Sequence, residues 1–265
     1  MDGSVTDLLE PRQHWVRRLH PSPDSDVAVV CFPHAGGSAS YFHPLSARLT
    51  PRAEVLALQY PGRQDRRSEP ALTSIDELVE GITEALREHV DRPLVFFGHS
   101  MGGTLAFETA RRMEPELGGR LLGLFVSGRR SPGSVRRTTV HLRDDAGLIA
   151  EIRELQGTAS TLLDDEDVVQ MILPSLRADY TAVERYVYRP GPALSCPLYV
   201  YTGDADPQVH EEEVAGWAEH TRADFRIRTF SGGHFYLAEQ SEQVIAALRE
   251  DVTGFQERSR TGAER

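Results

Sequence analysis

Cysteine is scarce: Cys31 and Cys196 are the only two in 265 residues. That count excludes a disulfide framework, and two isolated thiols make no zinc-ligand cluster. Each reads instead as a small buried side chain, in or beside a strand, of a protein kept reduced. Long apolar runs are missing too. Nothing approaches the roughly 20 apolar residues of a membrane span, and residues 1–20 are polar and charged, without the apolar segment of a signal peptide. A cytoplasmic protein is expected. Positive charge is in deficit, 29 Lys plus Arg against 40 Asp plus Glu for a net charge of -11, which argues against nucleic acid or an anionic membrane as the main partner. Internal repeats and low-complexity tracts are absent. With 40% hydrophobic and 26% charged residues, the composition is that of a globular chain able to bury one large core.

What is present is Gly98-His99-Ser100-Met101-Gly102-Gly103, a G-x-S-x-G pattern lying between the apolar run 94–97 and a helix-forming stretch at 104–112. Strand before and helix after are the context in which this pattern reads as a nucleophile elbow. A serine on so sharp a turn takes a strained backbone, and glycines two residues either side leave room for the turn and for a substrate. The turn pushes Oγ clear of the sheet and sets the first amides of the helix beside a reacting carbonyl.

The rest of the chain supplies a matching frame. Strands are expected at 27–32, 54–59, 94–97, 121–127, 198–202 and 225–230. Helices alternate with them: one at 75–86 with the apolar stripe Ile75, Leu78, Val79, Ile82 and Leu86 capped by Thr73 or Ser74, one to about Met113, one through Trp217, and a closing one to about Arg249. This order implies an α/β fold with a mostly parallel sheet covered on both faces. Alternation breaks at about 129–192, where 148–155 suggests one short helix and 168–173 a second ended by Pro174. That block is expected as a helical lid inserted above the strand ends of a single domain, with the core at about 15–128 and 193–255. Residues 256–265 are expected to be a frayed polar tail.

Serine at its own pKa is a poor nucleophile, so Ser100 needs a base and a group to orient it. Of ten histidines, His234 in Ser231-Gly232-Gly233-His234 follows the last strand and so reaches the same sheet edge as the elbow. His99 is taken as the variable position inside the elbow. An acid is sought in Gly203-Asp204-Ala205-Asp206-Pro207, where Asp206 is preferred to Asp204, which suits a turn-shaping role. For the oxyanion hole, the Met101 amide follows the nucleophile and the Ala35 amide lies in the glycine-rich loop after the first strand. Neither cofactor nor metal is called for.

With these segments together, the chain resembles the type II thioesterases, free-standing editing hydrolases of polyketide and nonribosomal peptide synthases, within the α/β-hydrolase fold. The matching segments run nearly end to end: 15–21, Cys31-Phe32-Pro33-His34-Ala35-Gly36-Gly37, Tyr60-Pro61-Gly62-Arg63-Gln64-Asp65-Arg66, the elbow, Ser127-Gly128-Arg129-Arg130, 173–180, 203–207 and Gly232-Gly233-His234-Phe235-Tyr236. Gly103 stands where many relatives carry alanine, a small change. The resemblance implies a Ser100, Asp206, His234 triad with the Ala35 and Met101 amides as the hole. It also implies hydrolysis of acyl groups held as thioesters on the phosphopantetheine arm of acyl or peptidyl carrier proteins. A monomer is the default expectation. Carrier proteins are usually acidic, so docking would need a basic patch, either Arg63, Arg66 and Arg67 or Arg129, Arg130, Arg136 and Arg137. Apolar side chains of 148–155 and 168–176 would roof an acyl pocket or simply pack the lid. A general esterase of small free substrates and a catalytically silent carrier-binding module are the alternatives.

Overall fold

Seven strands form one sheet in the computed structural model, which describes residues 14–134, 136, 138–156 and 164–263. In chain order the elements are β1 (Val16–Arg18), β2 (Ala28–Phe32), α1 (His43–Leu49), β3 (Glu54–Leu58), α2 (Ile75–Leu86), β4 (Leu94–His99), α3 (Met101–Leu117) and β5 (Leu121–Ser127). There follow α4 (Asp145–Gln156), α5 (Glu166–Arg185), β6 (Leu198–Gly203), α6 (Glu211–Ala215), β7 (Phe225–Phe230), α7 (Tyr236–Glu239) and α8 (Ser241–Ala263). Strand order is β1-β3-β2-β4-β5-β6-β7, parallel throughout except for β1 against β3. The expected mostly parallel sheet with helices on both faces is what forms.

Alternation along the strands explains the two layers. Val30, Phe32, Phe96, Leu124 and Val200 face α2 and α3, while Val29, Cys31, Val95, Phe97 and Tyr201 face α1 and α8. Both faces are thus dry, and the central strands read as continuous apolar runs. β1 has no counterpart among the expected strands, because a three-residue strand with one apolar side chain leaves no period to read. Its anchor is the neighbouring Trp15, whose ring lies so close to α2 that a Cβ on Gly81 would sit 2.4 Å from it. Ser74 occupies the N-cap position of α2 but makes no side-chain cap bond.

Two helices run further than their sequence suggests. α5 passes through Pro174 to Arg185. Proline deletes one backbone bond, but the turns beyond it bury Leu176, Asp179 and Ala182, and that burial outweighs the local loss. α8 continues to Ala263, so 256–265 is not a frayed tail over its described length. Val252 and Phe255 are buried, and the Phe255 ring lies 5.2 Å from Phe125 and 4.8 Å from Tyr199. Space for it exists only because residue 123 is glycine, where a Cβ would fall 2.2 Å from the ring. Phe255→Ala is therefore expected to lower stability by about 3–5 kcal/mol, read as a shifted urea midpoint at unchanged slope; an unchanged midpoint would mean that this helix only decorates the domain.

The inserted helices α4 and α5 pack on each other and on the 3-10 turn Val140–Leu142, burying Leu148, Ile149, Ile152, Leu173 and Leu176. Most of the lid's apolar side chains therefore serve its own packing. The cavity above the strand ends receives Val140, Leu155 and Tyr180.

Candidate active site

Ser100 sits between β4 and α3 at φ 55° and ψ -118°, a conformation that costs a residue with a side chain about 1–3 kcal/mol. The neighbouring glycines make it attainable. A Cβ on Gly98 would lie 2.1 Å from the Gly102 carbonyl oxygen, and one on Gly102 would lie 2.0 Å from that of Phe32. The Ser100 amide donates to the Ser127 carbonyl at 2.8 Å, tying the turn to β5. Met101 opens α3, so its amide is among the helix donors without an intrahelical acceptor.

A continuous hydrogen-bonded chain starts at this serine. Ser100 Oγ lies 3.0 Å from His234 Nε2, and His234 Nδ1 lies 2.8 Å from Asp206 Oδ2. An ionised carboxylate only accepts, so Nδ1 carries the hydrogen and Nε2 is left to accept from the serine hydroxyl. The second Asp206 oxygen accepts the Gln208 amide at 2.8 Å, and the carboxylate is fully buried. Asp204 has another partner: its Oδ1 accepts the Gly232 amide at 2.9 Å and so staples the loop after β6 to the loop that carries His234. Ala205 N reinforces the staple by donating to the Gly232 carbonyl at 3.0 Å.

His99 is more than a variable position. Its Nδ1 is 2.9 Å from Ser127 Oγ, which is in turn 2.6 Å from the Tyr236 hydroxyl, and its ring lies 5.1 Å from that of His234. Gly128, at φ 57°, leaves room for it, since a Cβ there would meet the imidazole at 2.8 Å. Nothing in the linear pattern marks this contact, because its partners come from β5 and α7. His34 packs on the same cluster, 5.9 Å from His99 and 4.9 Å from Phe235. Burial, then the charges of His234 and Arg63, hold His34 at about 3, and burial keeps His99 well below the usual histidine range.

Both imidazoles are thus neutral when folded and normally basic when unfolded. Above about pH 6.5 neither state binds the proton; below it the unfolded chain takes up protons that the folded one excludes. Stability is therefore expected to fall as pH drops below about 6.5, by up to ~1.4 kcal/mol per pH unit for each imidazole, with the His34 contribution levelling off near its folded value of about 3. Thermal melts between about pH 7.5 and about pH 5 should show the slope, and His34→Gln should flatten it. An identical slope in the variant would contradict the assignment.

The loop after β2 completes the surroundings. Gly37 N donates to the His34 carbonyl at 2.9 Å with Gly36 at φ 74°, the signature of a type II turn. Ala35, Ser100, Met101 and His234 line one cavity of about 70 Å³, roofed by the lid. A larger groove of about 660 Å³ shares Arg129, Arg130, Thr138, Val183 and Glu184 with it. Among the described residues, no group of three or more His, Cys, Asp or Glu side chains is arranged to hold a metal ion, and no helix is long and apolar enough to cross a membrane.

The first expected basic patch does not exist as a surface. Arg63 is buried in a two-pronged pair with Asp179, and Arg66 is buried against Glu69 and the Gln59 carbonyl, leaving Arg67 exposed. By spacing alone the three arginines read as a charge run; the carboxylate partner of Arg63 is distant in sequence and that of Arg66 lies just beyond the motif. In the second set Arg136 pairs with Glu213 and Arg130 donates to the Ser134 carbonyl, while Arg129 faces both cavities, lowered to about 10 by burial and by Arg130 beside it. Arg137 lies outside the described residues.

Residues 28–252 match the thioesterase-domain family. The chain is 49% identical over 243 residues to a probable cadicidin biosynthesis thioesterase of Streptomyces griseus, covering 92% of this chain and 67% of that protein. It is 49% identical over 231 residues to thioesterase PikA5 of Streptomyces venezuelae, covering 87% and 82%. Its fold matches that of the type II thioesterase BorB from the borrelidin biosynthetic cluster with a TM-score of 0.85 at 49% identity, over 89% of this chain and 96% of that one. This chain belongs to the thioesterase family: it is a serine hydrolase of thioesters on the α/β-hydrolase fold, with type II thioesterases among its relatives.

Proposed function

We propose that this enzyme removes aberrant or stalled acyl groups from the phosphopantetheine arm of carrier proteins in polyketide or nonribosomal peptide synthesis, with Ser100 as nucleophile, His234 as base and Asp206 as its orienting acid. The observation that carries the reading is the unbroken chain Ser100 Oγ, His234, Asp206 at 3.0 and 2.8 Å, opening into a small cavity beside a larger groove. The small cavity suits a short acyl group and the groove an extended arm. Relatives named for biosynthetic pathways, BorB and the cadicidin thioesterase among them, support the setting.

The reaction follows from the geometry. Ser100 Oγ attacks the thioester carbonyl carbon as His234 Nε2 takes the hydroxyl proton, and Asp206 stabilises the imidazolium. Negative charge on the carbonyl oxygen is met by the Met101 and Ala35 amides. The carbon–sulfur bond breaks, the thiolate leaves with the proton from His234, and the acyl group stays on Ser100. Water, deprotonated by the same histidine, then frees the acid. A thioester has little resonance protection and a good leaving group, so modest acid assistance is enough. The chemistry needs no metal or cofactor, and the enzyme acts as a cytoplasmic monomer.

A general esterase would share this machinery without depending on the carrier. Comparing turnover of an acyl-carrier thioester with that of a small oxygen ester of the same acyl group separates the two. The carrier substrate is expected to win by at least about tenfold in kcat/KM, since contacts along the arm contribute binding energy to the transition state. Equal or inverse preference would favour the esterase.

A further inference from the structure

The 34–37 turn is held from above by the lid. Asp179, fully buried on α5, accepts the Gly36 amide at 2.7 Å through Oδ2. The same carboxylate takes two Arg63 donors at 2.8 Å each, and Arg63 Nη1 also donates to the Gly37 carbonyl at 3.0 Å. One helical turn earlier, Leu176 presses on the same residue, with its Cδ1 2.8 Å from where a Gly36 Cβ would lie. Neither Asp179 nor Arg63 lines the Ser100 cavity.

Peptide geometry says what these contacts do. The His34 carbonyl and the Ala35 N–H share one trans peptide and point in opposite directions. Because Gly37 N draws the carbonyl into the turn, the Ala35 N–H is directed out of it. The next peptide decides whether the turn is type II or type I. Flipped, it would aim the Ala35 carbonyl oxygen at the Asp179 carboxylate, oxygen against oxygen; as it stands, the Gly36 N–H meets it.

We propose that Asp179 and Arg63 are positioning residues that hold the 34–37 turn so that the Ala35 amide faces the cavity over Ser100, making the seating of lid helix α5 a condition for a complete oxyanion hole. The inference rests on the reading of the Ala35 amide as a hole donor. A buried ion pair contributes little net stability against an apolar substitute, but removing one partner strands the other, so single and double variants are both needed.

Asp179→Asn keeps the shape and loses the charge. In the folded variant kcat should fall roughly 10- to 100-fold with KM within about threefold, because the lost interaction belongs to the transition state. Affinity for an alkyl trifluoromethyl ketone should fall by the same factor as kcat, since addition of Ser100 Oγ to its carbonyl places an oxyanion in the hole. Arg63→Gln/Asp179→Asn, with no stranded charge, should show about the same loss as the single variant rather than the product of two losses. Near wild-type kcat and ketone affinity in either folded variant, or a change in KM alone, would overturn the proposal. So would failure of both to fold, which would assign the pair to stability. If the wild type spares acyl carriers yet binds the ketone, the carrier reading falls alone, and the ketone series still judges the positioning role.

Discussion

Ser100→Ala is expected to cut turnover of a carrier thioester by about 10⁴- to 10⁶-fold, and His234→Ala to fall in the same range, with melting temperatures close to that of the wild type. The expectation follows from the site's construction. Ser100 contributes its Oγ–Nε2 bond to catalysis, while its backbone is held by the amide bond to Ser127 and by the tight approaches of Gly98 and Gly102, all of which alanine preserves. His234 lies over the Ser100 cavity, and its loop is stapled independently by Asp204 and Ala205. Because nucleophile and base act as one unit, the double variant should be little worse than either single one. Substantial turnover by either folded single variant would mean that another group does the chemistry.

Two aspartates separated by a single residue should behave very differently. Asp206→Asn is expected to lose roughly 10³- to 10⁴-fold in kcat, since an amide cannot hold His234 in the tautomer that leaves Nε2 free to accept. Asp204→Asn keeps an oxygen able to accept the Gly232 amide, so turnover should stay within about tenfold of wild type. What separates them is which oxygen meets which nitrogen: Asp206 reaches the imidazole at 2.8 Å, and Asp204 reaches only backbone. A larger loss at Asp204 would exchange their roles.

In the sequence the two aspartates differ only in their distance from the turn glycine Gly203; in the structure Asp206 meets the His234 imidazole and Asp204 the Gly232 amide. The strand at 121–127 is legible because a buried parallel strand leaves a continuous apolar stretch ended abruptly by turn residues, whereas the mostly exposed edge strand at 225–230 shows instead as Phe, Ile and Thr alternating with arginine. Other features depend on partners distant in the chain. Arg63 reads as surface charge until Asp179, 116 residues away, arrives on the lid. His99 reads as a free position until Ser127 and Tyr236 close around it. α5 reads as ending at Pro174, since a proline's local penalty is visible in sequence while the burial of Leu176 and Asp179 beyond it is not. α8 outlasts its apolar stripe because Phe255 fills a space that one glycine, Gly123, opens in β5. Local pattern marks the strands and the elbow; contacts at long range determine how the lid and the 34–37 turn meet.

The most direct measurement is the intact mass of an acyl carrier protein followed over time with catalytic amounts of enzyme. Wild type should return the carrier to the mass of its free phosphopantetheine thiol, releasing the acid, while Ser100→Ala leaves the acyl mass in place. Clearance of the carrier by Ser100→Ala at the wild-type rate would contradict the account, as would a wild type that hydrolyses small esters and leaves every acyl carrier untouched.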